Sequence, residues 1–388
     1  MILVSEVVHP GEVHLEFNAA LLQVFSSVYP NESFIYRAED EQLKLVKERI
    51  LTPLNIEFCG FDSYYDPKAF SWPARIFGEI KEIYRSLRLG EKRNVSTYLW
   101  TCLFPTGHLF LSLYLFIFRS KKAKHLIVLH GELEFLKSAN RKKTTIAFGV
   151  MLKLAINLGN KTTRYIVLGD RIKGHLESYF SNNVTKRIIT ILHPYSYHSD
   201  YKQVAFDVDK TPLTLGAIGT QMLSKNSNLI FELARILEKE IARGALDFRT
   251  IGKVLPEISP FTNKLVNQRY PDAFVPNAIF ETEVGKLDFV LFFYSNDSYQ
   301  LCASGAIFEV IKLGIPIISI YNDYFDWLFN DYGEMGFLCK DINEMSAVIL
   351  NIVNGKLTTE IDVFVRNIET FKTKNNLQSI ATDLATKL

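Results

Sequence analysis

The sequence predicts an α/β protein made of two doubly wound domains in tandem. Three observations predict it. The 388 residues exceed what one hydrophobic core usually supports. Short apolar runs alternate with longer amphipathic ones along the whole chain, the signature of parallel sheets covered by helices. A polar stretch rich in Tyr, Ser, Asp and Lys, bounded by Pro194 and Pro212, divides that alternation in two. The expected division is 1–195, a linker at 196–212, and 213–370, with 371–388 forming a terminal helix that returns to the first domain.

In the first domain the apolar runs predict strands at Ile2–Val7, Phe34–Arg37, Ile56–Gly60, Val95–Thr101, His125–His130, Tyr165–Gly169 and Ile188–Leu192. Helical patterns fall between them, at Leu15–Val28, Glu39–Ile50, Phe70–Leu87, Leu109–Phe118, Lys142–Leu158 and Arg171–Phe180. The second domain repeats the scheme. Strands are expected at Leu213–Gly219, Phe248–Val254, Ala273–Val275, Phe289–Tyr294, Pro316–Ile320 and Phe337–Cys339. Helices are expected at Asn228–Arg243, Ala303–Leu313, Ile342–Asn354 and Thr359–Thr370. In such domains ligands sit at the carboxyl ends of the strands, here facing a cleft between the two.

Composition narrows the function classes. Apolar residues make up 48% and charged residues 22%, with a formal charge of +2, so no global field argues for nucleic acid. Cys59, Cys102, Cys302 and Cys339 are scattered and form no CxxC pair. They read as reduced thiols rather than a disulfide framework or a zinc site, which fits a cytoplasmic protein. The first residues lack a basic n-region and meet Glu6 early, so they read as a strand rather than a signal peptide. Residues 94–118 carry no charge and are followed by Arg119, Lys121, Lys122 and Lys124. Pro105-Thr106-Gly107-His108 splits this stretch into a strand and an apolar helix. The expectation is a buried strand and core helix, the alternative a helix lying on the inner membrane surface with a basic rim.

The chemistry concentrates in Ser304-Gly305-Ala306-Ile307-Phe308-Glu309-Val310-Ile311-Lys312-Leu313-Gly314-Ile315-Pro316. It follows an apolar strand and a polar turn. Small residues at a helix start let free backbone N–H groups approach a phosphate, and the helix dipole favours the negative charge there. Glu309 lies one turn further in, where a carboxylate can accept from both ribose hydroxyls. The plainer readings are a helix N-cap at Ser304-Gly305 and a solvated carboxylate at Glu309.

This segment resembles the donor-binding signature of the retaining GT-B glycosyltransferases of family 4. Glu309 matches the second glutamate of their paired motif, and Gly314 and Pro316 match the turn after the helix. The first glutamate's place holds Leu301, with Tyr299 or Ser304 filling the space. A second element, Gly219 and Lys225 six residues apart, is similar to the family's glycine–lysine loop, although Thr220 replaces its arginine. The resemblance implies that Lys225 neutralises the donor diphosphate. Gly252-Lys253 resembles the next nucleotide-side loop, which makes Lys253 a donor candidate.

In the first domain His130, Gly131 and Glu132 close a strand where the family carries a histidine beside the donor sugar. His130 is the expected sugar contact, and Glu132 an acceptor-binding group or base. A capped strand end is the plain alternative for both. The loop His9-Pro10-Gly11-Glu12-Val13-His14 reads as acceptor surface through Gly11 and His14. The resemblance implies a nucleotide-diphosphate sugar as donor, a glycan or lipid-linked acceptor, no cofactor and no bound metal. The Asp207-Val208-Asp209 pair lies in the linker and reads as solvated. Two rival functions stand beside transfer. One is a sugar-nucleotide epimerase of the same architecture, which would want histidines and carboxylates in both domains. The other is a non-catalytic binding relative, suggested by Leu301 and Thr220.

Overall fold

A computed structural model describes residues 1–50, 54–64, 71–118, 123–137, 142–198 and 210–388. Most of the expected linker at 196–212, Asp207 and Asp209 within it, and Arg119, Lys121 and Lys122 lie outside the described residues. The chain divides into two compact units. The first comprises Met1–Ser196, Leu301–Ala303 and Asn375–Leu388; the second comprises Tyr197–Gln300 and Ser304–Lys374.

The first unit is built on a seven-stranded sheet. Its strands are β1 (Ile2–Glu6), β2 (Phe34–Glu39), β3 (Ile56–Phe61), β4 (Thr97–Cys102), β5 (Lys124–Leu129), β6 (Thr163–Val167) and β7 (Ile188–Thr190). They lie in the order β3-β2-β1-β4-β5-β6-β7, every pair parallel. Central strands are buried on both faces, so that even Ser5 and Glu6 of β1 and Thr97 and Thr101 of β4 are covered; the edge strand β3 is only partly covered. The terminal helix Leu377–Lys387 packs on the helix Leu15–Val28 of this unit. Arg164 Nη1 donates to Lys387 O at 2.9 Å, and Lys387 Nζ to Thr190 O at 2.9 Å.

The second unit carries a six-stranded parallel sheet: β8 (Leu213–Ile218), β9 (Leu246–Ile251), β10 (Val266–Arg269), β11 (Phe289–Phe292), β12 (Ile317–Ile320) and β13 (Gly336–Cys339). Its order is β10-β9-β8-β11-β12-β13. Phe231, Phe248, Phe289, Leu291, Ile318 and Ile349 share its core. Local chemistry fixes its helix ends. Asp341 Oδ1 accepts from Asn343 N at 2.8 Å and Glu344 N at 3.0 Å, capping Ile342–Val353. Gly314 ends the helix Gly305–Leu313 in the left-handed region at φ 74°, and Pro316 follows it.

Two expectations are corrected. The strand placed at Ala273–Val275 is irregular; the edge strand is Val266–Arg269, where Val266 alone is buried and Phe274 stands 71% exposed. An edge strand needs only one covered face, so its apolar signal is weak. The single helix expected over Asn228–Arg243 is two, Leu229–Ile236 and Glu238–Ala242, broken at Leu237. Among the described residues no helix is long and apolar enough to cross a membrane.

Candidate functional site

In both sheets the strand order reverses beside the first strand of the unit, between β1 and β4 and between β8 and β11. Loops leaving neighbouring strands there run in opposite directions and open a crevice at the strands' carboxyl ends. The candidate residues gather at these two points, each within its own unit.

In the second unit Gly219 follows β8 at φ 75°, and Lys225 Nζ lies 3.8 Å from where a Cβ on Gly219 would stand. The expected glycine and lysine are therefore neighbours. Asn226 turns the chain at φ 52°, and its Nδ2 donates to Phe293 O at 2.9 Å, tying the loop after β8 to the end of β11. Gly252, at φ 127°, brings the loop after β9 against the same turn: a Cβ there would meet Gly219 O at 2.5 Å. Lys253 follows Gly252 in the same loop. Its Nζ lies 5.1 Å from the centroid of the Phe274 ring, a cation–π contact.

The loop after β11 carries Tyr299, stacked on Tyr294 with ring centroids 4.2 Å apart and 10° between planes. Asn322 Nδ2, after β12, donates to Tyr299 O at 3.2 Å. Ser304 is buried at the N-cap of Gly305–Leu313, and its side chain makes no capping bond. Among the described residues a Cβ added to Gly305 would meet nothing within 4 Å, so packing does not explain the glycine. Glu309 is half-buried, and its Oε1 is a buried atom. Leu301, in the place of the family's first glutamate, is fully buried, and its N–H donates to Glu134 Oε1 at 2.5 Å within the first unit.

The first unit collects histidines that are far apart in sequence. His9 and His14 come from the loop after β1, His130 ends β5, and His193 follows β7. The His9 and His14 ring centroids are 4.1 Å apart, and His14 and His130 4.7 Å. Phe17 packs its edge against His130 at 4.6 Å and its ring near His193 at 5.1 Å. Burial pushes all four imidazoles down: His14 to about 4, His193 to about 3, His9 and His130 well below the usual value. His130 Nε2 lies 2.9 Å from Thr101 O, which can only accept, so Nε2 carries the proton and Nδ1 keeps a lone pair.

Glu132, expected as an acceptor-binding group or base, is buried. Its Oε1 accepts from His130 N at 3.0 Å and lies 3.4 Å from His108 Nε2. Its carboxylate is thus built into the wall behind His130. Gly11 turns at φ 58°, and its N–H donates to Glu39 Oε2 at 3.2 Å, so that loop is drawn onto the end of β2. Beneath it, Glu6 accepts from Val8 N at 2.8 Å, His9 N at 3.0 Å and Thr101 Oγ1 at 3.0 Å; burial raises it to about 7. The sequence reading missed Glu6, Cys102 and His193 as members of this group. Each lies at a strand end, and only the sheet order reveals their proximity.

These two sheets define a class of fold. Compared by sequence, the chain matches no family model and no curated protein. Solved structures match it in three dimensions. A glycosyltransferase from Rickettsia africae ESF-5 is 14% identical, with a TM-score of 0.58 over 100% of this chain and 97% of its own. UDP-GlcNAc 2-epimerase from Neisseria meningitidis, bound to UDP-GlcNAc, is 12% identical with a TM-score of 0.56, covering 100% and 99%. TarM is 17% identical with a TM-score of 0.55, covering 75% of this chain and 54% of its own, so the chain spans about half of TarM's length. The fold is that of the GT-B class.

Proposed function

We propose that the chain is a glycosyltransferase that moves a hexose-type sugar from a nucleoside diphosphate to a glycan or lipid-linked acceptor, in polysaccharide or glycoconjugate synthesis. The observation that carries the proposal is the switch point of the six-stranded sheet. There the Gly219–Lys225 pair leaves β8, and the helix start at Ser304-Gly305 follows the neighbouring β11. The free amides of the helix start and the Lys225 ammonium take the diphosphate charge, so this step needs no metal. As the sugar–phosphate bond breaks, the same groups steady the departing diphosphate. Glu309 accepts from the ribose hydroxyls, and Tyr299 borders the sugar end. In the first unit His130 offers its Nδ1 lone pair to a sugar hydroxyl, and Glu132 holds the His130 backbone in place. The likeness of Glu309, Gly314 and Pro316 to the retaining signature supports retention of the anomeric configuration. Lys253 serves as a reserve cation on the nucleotide side, and the loop of Gly11 and His14 as acceptor surface.

The helices Pro105–Phe118 and Lys143–Leu158 pack on each other and leave Phe116, Ile117, Phe118 and Val150 between 59% and 66% exposed. That supports peripheral contact with a cytoplasmic membrane surface, where a lipid-linked acceptor would be met. Liposome co-sedimentation of Phe116→Ser/Ile117→Ser beside wild type tests this, and equal sedimentation would remove it.

A second reading is a sugar-nucleotide epimerase, favoured by the clustered histidines of the first unit and by the likeness to the Neisseria enzyme. Product analysis after incubation with a panel of nucleotide sugars separates the readings. Free sugar plus nucleotide, or a transferred sugar, supports the transferase. A nucleotide sugar of altered configuration supports the epimerase, and no turnover refutes both.

A further inference from the structure

We infer that the first unit holds a divalent cation of the zinc class on three ligands, His9, His14 and Cys102, at the switch point of the seven-stranded sheet. The inference does not depend on the donor reading. One ligand atom from each of these residues lies within 4.8 Å of the other two. Tetrahedral zinc, with bonds of about 2.0–2.1 Å to nitrogen and about 2.3 Å to sulfur, wants ligands roughly 3.3–3.7 Å apart. Closing the difference takes about 1 Å of side-chain movement, and both histidines are only half-buried on a loop.

The backbone converges on this point from both sides of the reversal. β1 shifts register between Ser5 and Glu6, so that Glu6 pairs with Cys102 at the end of β4. Glu6 then takes the amides of Val8 and His9 and turns the loop back over the sheet. His14 sits in the left-handed region at φ 59° as the N-cap of Leu15–Val28, with no capping bond from its side chain. That conformation is uncommon for a side-chain-bearing residue, and here it brings the imidazole against His9. Among the described residues His14 Nδ1, a buried nitrogen, has no hydrogen-bond partner, and such an atom calls for an explanation.

The donor set selects the metal. Two imidazoles and a thiol suit zinc, cobalt or copper rather than magnesium or calcium, which take oxygen ligands. Ligation takes the neutral imidazole at each histidine and the thiolate at Cys102. Three protein ligands leave a fourth position for water or another small donor. The sequence reading expected no bound metal, on the resemblance to GT-B enzymes, whose cationic side chains and helix starts carry the diphosphate charge.

The test uses the full chain, stripped with chelator and titrated with cobalt(II). Expected are one equivalent bound, tetrahedral d–d absorption and a thiolate-to-cobalt charge-transfer band; zinc should displace cobalt and raise the thermal midpoint. Cys102→Ser should lose the charge-transfer band, and His9→Ala should weaken cobalt binding at least about 100-fold. The double variant Cys59→Ser/Cys302→Ser should keep the band. His9→Ala changes a half-buried loop residue, so it remains informative should Cys102→Ser fail to fold. A wild-type protein without a saturable band overturns the inference. So does a band that survives Cys102→Ser, vanishes in the Cys59/Cys302 variant, or binds with unchanged affinity in His9→Ala.

Discussion

The carbonyl oxygen of Gly219 stands 2.5 Å from the point a Cβ would occupy on Gly252, so the loops leaving β8 and β9 meet backbone to backbone. No side chain fits between them, and the φ of 127° at Gly252 also disfavours one. Gly252→Ala is expected to destabilise the protein by roughly 2 kcal/mol or more. It should also weaken nucleotide binding, since Gly219 carries the turn to Lys225. Urea unfolding together with calorimetry checks both; unchanged stability would show that the contact is not tight.

Asn226 joins the two strands of the switch point. Its side chain bonds Phe293 O while its backbone turns left-handed. Asn226→Ala loses both features and should cost about 1–2 kcal/mol, whereas Asn226→Gly keeps the turn and loses only the bond. Alanine is expected to be the worse of the two in thermal unfolding and in nucleotide affinity. Equal behaviour of the two variants would assign the whole effect to the hydrogen bond.

Glu79 gives the stability a pH dependence. Burial is the largest cause raising it to about 8, against the hydrogen bond from Phe104 N at 2.8 Å. The folded chain therefore keeps a proton that the unfolded chain releases near pH 4.5. Its contribution is fully present below that pH and is lost as pH rises through about 8, on the order of 2–4 kcal/mol over the window. Glu79→Gln, which stays neutral, should flatten this slope and exceed wild type in stability above pH 8. A parallel pH profile for the two proteins would contradict the assignment.

Much of the fold was legible because parallel central strands are buried on both faces. Phe289–Phe292 reads as an unbroken apolar run, and Ile317–Ile320 is interrupted only by the buried Ser319. The edge strand Val266–Arg269 offers one buried side chain among polar ones, and the apolar Phe274 nearby drew the expectation instead. The Gly219–Lys225 pair was legible because it is local. The meeting of Gly219 with Gly252 was not, since a glycine letter does not say which backbone approaches it.

The first unit shows the same limit more strongly. His9, Cys102, His130 and His193 reach one end of the sheet only through the order β1-β4-β5-β6-β7. Read along the chain, Cys102 was one more reduced thiol and His193 the residue before the polar stretch that Pro194 opens. Glu132 looked like a group aimed at an acceptor because it follows a strand end, yet the Gly131–Leu136 turn rolls it inward to His108. Direction at a strand end depends on the next few dihedrals, which the residue types leave open.

The central claim is that the second unit grips a nucleoside diphosphate through Lys225, the helix start at Gly305 and Glu309. Titration calorimetry of the full chain with uridine diphosphate and a panel of other nucleoside diphosphates tests it most directly, on wild type, Lys225→Ala and Glu309→Ala. Saturable binding of at least one nucleotide is expected, weakened about tenfold or more in each variant, with the Lys225 effect shrinking at high salt. Binding of equal strength in all three proteins, or no binding of any nucleotide to wild type, would contradict the account.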